Sequence, residues 1–188
     1  MSASPEIRIA NPAWVAGIID TDAVYQSDED CMRVAVRLAH ENVMHDTGGP
    51  FGAAVFDADG RIIGLGVNMV VASSNSALHA EMVAFMMAQA RVGSYTLGAP
   101  GMSDHTLYTS CEPCAMCLGA SFWSGVRRVV FAASRDDASE LFDEGPVFPA
   151  SYAYLEDRGI RFQGGVLRQE GRAALELYRE RQGERYNG

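Results

Sequence analysis

Two short segments constrain this chain more than anything else in it: His79-Ala80-Glu81 and Pro113-Cys114-Ala115-Met116-Cys117. Cys114 and Cys117 are three residues apart, which puts both thiols on one face of a helical turn. One imidazole and two thiolates supply three zinc ligands and leave a fourth position open to water, as a catalytic site requires. Both segments sit where apolar helices are predicted to begin, and the positive partial charge of a helix start favours thiolates. Glu81, two residues beyond His79, need not ligate. It is placed to take a proton from the water, whose pKa zinc lowers to about 7. Cys111 leaves other readings open. With Cys114 and Cys117 it imitates an iron–sulfur spacing, and with His79 it could complete a closed structural zinc site. Its position ahead of Pro113 points instead to a packed thiol at a strand end.

The rest of the chain reads as one domain. Residues 1–26 carry Pro5 and Pro12 without a clear period and form an extended or irregular arm; residues 27–188 form the domain proper. Ser27 is a helix N-cap, and Met32, Ala35, Val36, Ala39 and Val43 make an apolar stripe behind it. Thr47-Gly48-Gly49-Pro50 ends that helix. Strands over 51–56 and 62–68 form a hairpin so apolar that both faces must be covered. Helices are predicted over 79–91 and 114–124, the second opened by Pro113. Strands follow at 106–109, 126–132 and 161–163, short helices between 135 and 160, and a last helix over 168–183. Strands alternating with helices behind a hairpin predict an α/β fold, a three-layer α/β/α sandwich around a mixed sheet of about five strands. Sites in such sheets form where strands end and helices begin, and both special segments lie there.

Charge narrows the partners. The chain carries 15 basic and 24 acidic residues, a formal net charge of -9, and no basic stripe. A polynucleotide grip needs Lys and Arg against phosphates, so nucleic acid is not the expected partner. No apolar run approaches the ~20 residues that span a bilayer, and the N-terminus lacks a secretory pattern, so a cytoplasmic location is expected. Three of the four cysteines fall within seven residues, which in a reducing compartment means metal or catalysis before disulfides.

The arrangement H-x-E followed by P-C-x-x-C resembles the cytidine deaminase superfamily of zinc-dependent nucleobase and nucleoside deaminases. The resemblance runs from about residue 30 to the C-terminus and is strongest with the bacterial guanine deaminases. Its carriers are 48–55 (GGPFGAAV), 66–70 (GVNMV), 79–81 (HAE), 109–117 (TSCEPCAMC), 123–133 (WSGVRRVVFAA) and 142–146 (FDEGP). It implies one zinc ion (Zn2+) per chain, held by His79, Cys114 and Cys117, with Glu81 as the catalytic proton carrier. It implies that Asn68 contacts the base, that Phe51 and Trp123 stack on it, and that the backbone N–H of Ala80 orients it. Asp143 and Glu144 fall in the acidic segment that holds the amino edge, with Glu144 a second proton carrier. Tyr186, near the C-terminus, is the candidate for closing the site, from its own chain or a neighbour's. A homodimer acting on a small nucleobase is expected.

The implied reaction is hydrolysis of guanine to xanthine and ammonia. Other aminated rings stay open: cytosine, guanosine, or a triazine such as ammeline. Editing of adenosine in transfer RNA uses a similar zinc site, but the acidic balance and the acidic 142–146 turn speak against it. A metal-stabilised binding module without turnover would need Cys111 in the fourth position.

Overall fold

A computed structural model describes residues 6–139, 141–142 and 147–186 of the chain. The helix predicted behind Ser27 is α2 (Asp28–Met44), preceded by a single turn, α1 (Val15–Ile18). The Ser27 hydroxyl accepts the Asp30 N–H at 3.1 Å, and three acidic residues occupy the first turn of α2. The hairpin β1 (Gly52–Phe56) and β2 (Ile62–Val67) leads into α3 (Ala80–Val92). Then come β3 (Thr106–Cys111), α4 (Ala115–Ser124), β4 (Arg128–Ala133) and α5 (Arg135–Ala138). The chain ends with α6 (Pro149–Asp157), β5 (Arg161–Gly164) and α7 (Arg168–Glu180).

The five strands form one sheet in the order β2-β1-β3-β4-β5. β1 is antiparallel to β2 and β3, while β3, β4 and β5 run parallel, so the sheet is mixed as expected. Alternation along the strands divides the core in two. Ala53, Val55, Leu107 and Val129 meet Ala80 and Ala84 of α3 and Leu118 of α4 on one face. Ala54, Phe56, Tyr108 and Val130 meet Met32, Ala35 and Leu38 of α2 on the other. Every residue of β1 is buried, which is why the hairpin lacks polar alternation.

The start of α3 is set by its closeness to β2. A Cβ built on Gly66 would lie 2.1 Å from the Ala80 carbonyl oxygen and 2.4 Å from the Ala84 nitrogen. Only a glycine lets the helix backbone lie that near the strand. Gly66→Ala is therefore expected to lower stability by about 3 kcal/mol, read from the urea midpoint. A loss below about 0.5 kcal/mol would mean that α3 can retreat freely.

Residues 6–26 include packed positions that their composition does not announce. Val15 and Ile19 are buried in the core on the α2 side of the sheet. The Asn11 side-chain amide donates to the Leu65 carbonyl at 2.8 Å, and the Trp14 ring stacks on His45 at 5.1 Å. A few buried apolar residues in a short stretch carry no period, so no pattern announces this packing. No described helix is long and apolar enough to cross a membrane.

Candidate active site

His79 and Cys114 are both N-caps, the residues just ahead of α3 and α4. Cys117 follows in the first turn of α4 and Glu81 in the first turn of α3. Parallel β3 delivers the chain to α4, and β2 delivers it through the 68–78 loop to α3, so both helix starts gather at one edge of the sheet. The Met69 N–H donates to the Leu78 carbonyl at 2.9 Å, which fixes the end of β2 against the residue before His79.

The ligand atoms of His79, Cys114 and Cys117 lie within 4.8 Å of one another, and all three residues are buried. Among the described residues this is the one such group. Cys114 Sγ is 3.6 Å from His79 Nδ1. Tetrahedral zinc, with bonds of about 2.3 Å to sulfur and 2.0–2.1 Å to nitrogen, would hold such atoms about 3.5 Å apart. The donor set therefore fits zinc. Cys111 does not join it: its thiol turns to the Ser134 carbonyl oxygen, 3.6 Å away, at the end of β3. The closed four-ligand arrangement that its spacing allowed is not built.

The two ligand thiols are electrostatically unlike. A hydrogen bond from Cys117 holds Cys114 down at about 4, in the thiolate range. Donating that bond, together with burial, pushes Cys117 well above the usual thiol value. Burial, and next the Cys114 charge, raise the Glu81 carboxyl as well. A carboxyl so placed moves toward the range where it can both take and give a proton.

A second group gathers beside the first. Asn68 is 1% exposed. Its Oδ1 accepts the Val70 N–H at 3.3 Å, which fixes the amide orientation, and its Nδ2 is buried with no hydrogen-bond partner among the described residues. A buried donor left so costs about 1–3 kcal/mol unless a ligand satisfies it. Phe51 packs on Phe142 at 5.1 Å between ring centres, and Phe142 on Tyr186 at 5.1 Å. A Cβ on Gly49 would fall 2.3 Å from the Tyr186 hydroxyl and 3.1 Å from Asn68 Oδ1. The Tyr186 hydroxyl of the same chain thus lies against Gly49, a glycine that leaves room for it. Ala80 is fully buried at the head of α3, in the same cluster as Phe51 and Phe142.

Trp123 is the exception. It lies in the last turn of α4, 78% exposed, edge-on to Phe122 at 5.5 Å. Within one chain it is a surface residue, turned away because the opposite side of α4, Leu118 and Ser121, faces the core. Asp143 and Glu144 lie outside the described residues. Two residues of the site were missed by sequence reasoning. Phe142 was quoted only as part of an acidic turn, and Asn42 was hidden in the α2 stripe, although it stands seven residues from Ala35 and so on the same face.

The comparisons agree with this geometry. The family described as the cytidine and deoxycytidylate deaminase zinc-binding region matches residues 25–133, which include both ligand segments. The guanine deaminase of Bacillus subtilis is 42% identical over 135 residues, covering 71% of this chain and 83% of that protein. A tRNA-specific adenosine deaminase of Haemophilus influenzae is 32% identical over 144 residues, 76% of this chain and 78% of the relative. A crystal structure of guanine deaminase from Nitrosomonas europaea superposes with a TM-score of 0.87 at 38% identity, covering 96% of this chain and 100% of the other. Since that match spans more than half of the chain and carries every ligand residue, this protein belongs to the cytidine and deoxycytidylate deaminase family of zinc-dependent C–N hydrolases.

Proposed function

We propose that the protein hydrolyses guanine to xanthine and ammonia. The observation that carries this reading is the buried Asn68 amide, its Nδ2 unpartnered among the described residues, bonded through its backbone to Phe51 at the strand end that the Met69–Leu78 hydrogen bond ties to the residue before His79. A flat purine needs just such a pocket: apolar faces for the ring and a few polar atoms at its edge. The likeness to guanine deaminases over most of the chain supports the choice of base.

His79, Cys114 and Cys117 would hold one zinc ion per chain, which supplies Lewis acidity and lowers the pKa of a water ligand to about 7. Glu81 takes a proton from the attacking water and carries it to a ring nitrogen of guanine. Oxygen then bonds to C2, which becomes tetrahedral. The hydroxyl now on C2 gives its proton to the emptied Glu81 carboxylate; Glu81, or Glu144 in the acidic turn, protonates the exocyclic nitrogen, the C2–N bond breaks, C2 becomes a carbonyl, and ammonia departs. Asn68 and the Ala80 N–H orient the ring, Phe51 lies along it, and Tyr186 excludes water. Asp143 meets the amino edge.

The test is ammonia release by zinc-loaded protein from guanine, cytosine, guanosine and ammeline. Guanine is expected to lead by at least an order of magnitude. A zinc-loaded protein that leaves guanine untouched refutes the assignment. The relation to a tRNA deaminase raises RNA as a second substrate, but a net charge of -9 opposes phosphate binding.

The outer face of α4 supports a homodimer. α4 has no charged residue, and its Met116 and Trp123 are exposed beside Tyr95. A helix apolar all round belongs in an interior, and a second copy would provide one. A sedimentation mass of one chain at micromolar concentration would overturn this. Thiolate ligands suit a reducing, cytoplasmic setting.

A further inference from the structure

We infer that the N-terminal arm positions Asn68, through a directional relay of hydrogen bonds from Trp14 by way of Thr47 and Asn42. This rests on the reading of Asn68 as a substrate contact. The Trp14 indole N–H donates to Thr47 Oγ1 at 3.0 Å. Thr47 Oγ1 lies 2.7 Å from Asn42 Oδ1. Asn42 Nδ2 lies 2.8 Å from the Gly49 carbonyl and 2.8 Å from the Asn68 carbonyl. The direction is forced. The Gly49 and Asn68 carbonyls can only accept, so Asn42 turns Nδ2 to them and Oδ1 to Thr47, whose hydroxyl accepts the indole N–H and donates to Asn42 Oδ1 at 2.7 Å, with the Asn42 carbonyl a longer acceptor at 3.4 Å. That leaves both hydrogens of the Asn42 amide for the two carbonyls, and every polar atom of its side chain is satisfied.

Asn42 is fully buried, so these bonds work at low dielectric, and a polar group placed there without a partner would be costly. What they hold is the backbone of the two segments that frame the site: Gly49, under the Tyr186 hydroxyl, and Asn68, whose side chain offers its donor. The Asn68 N–H is bonded in turn to the Phe51 carbonyl at 3.0 Å, so the same clamp fixes Phe51. Trp14 lies ahead of the matched family region, residues 25–133. Trp14, Thr47 and Asn42 are positioning residues that act through Asn68.

The experiment compares Thr47→Val, which loses the hydroxyl at nearly the same size, with Thr47→Ser, which keeps it, and Trp14→Phe, which keeps the stack on His45 but loses the N–H. Hydrogen exchange over residues 66–71 is measured in each without substrate. Exchange there is expected to rise about fivefold in Thr47→Val and Trp14→Phe, the effect of one hydrogen bond, and to be rescued in Thr47→Ser. Unchanged exchange in Thr47→Val overturns the relay whether or not guanine is the substrate. With guanine, Thr47→Val is expected to raise KM about fivefold and change kcat less than twofold, with zinc content unaltered. In an Asn68→Ala background the same substitution should add almost nothing. An equal effect in both backgrounds, or a loss of kcat with zinc, would show a merely structural role and overturn the inference. Wild-type protein inactive on guanine would instead sink the proposed function, while the exchange result still decides the relay.

Discussion

Glu81→Gln is expected to reduce ammonia release from guanine by about 10³-fold, within the range that a positioned proton carrier contributes, with zinc content unchanged by elemental analysis. The amide keeps the shape of the carboxyl and can still hydrogen-bond, but it cannot accept the proton of the attacking water. Glu81 is buried in the first turn of α3, where burial raises its pKa. A neutral glutamine carries no charge to desolvate there, so the thermal midpoint should not fall. KM should change little, because the substitution removes an interaction that strengthens only as the reaction proceeds. A variant that retains a tenth of the wild-type rate would move the proton transfer to another residue. A variant that loses zinc along with the rate would make Glu81 a support of the metal site.

Cys117→Ser should weaken zinc binding by more than about 10²-fold, beyond the 10- to 100-fold typical of residues that only orient a ligand. Cys117 is fully buried one turn into α4, so no outside group can replace it. A serine hydroxyl does not ionise near neutral pH, and two donors remain. Turnover should disappear with the metal, and the thermal midpoint should become insensitive to added zinc, since an ion that binds the folded chain alone stabilises it. The wild-type site has a pH signature. Its ligands must be deprotonated, so acid releases the ion as protons compete for them. Because one hydrogen bond shared by the two thiols lowers Cys114 and raises Cys117, the pair retains a proton that it gives up when zinc binds near neutral pH. Calorimetry of zinc uptake in buffers of different ionisation enthalpy counts it. No proton release, or tight zinc in the serine variant, contradicts the three-ligand site.

How far the sequence spoke depended on the range of each interaction. The ligand segments were legible because their constraint is local: a residue and its neighbour three along share a helical face, and Pro113 marks where the helix opens. Ser27 likewise announced α2, and the apolar hairpin announced a sheet covered on both faces. Asn42 was not legible, because an asparagine on an apolar stripe declares neither burial nor partners until Gly49 and Asn68 arrive from 7 and 26 residues away. The packing of the arm was hidden for the same reason, since Val15 and Ile19 find their neighbours only in the folded core. The exposure of Trp123 was not legible either, because the side of α4 on which it falls is set by the burial of Leu118 and Ser121.

The residues assigned to the site are drawn from nearly the whole polypeptide: Phe51, Asn68, the heads of α3 and α4, Phe142 and Tyr186, with Trp14 bonded behind them. No contiguous stretch of chain could reproduce it, and contacts of such long reach form slowly. Turnover is therefore an all-or-nothing gauge of completed folding: a nick or a shortened end that leaves helix content nearly intact would still silence the enzyme.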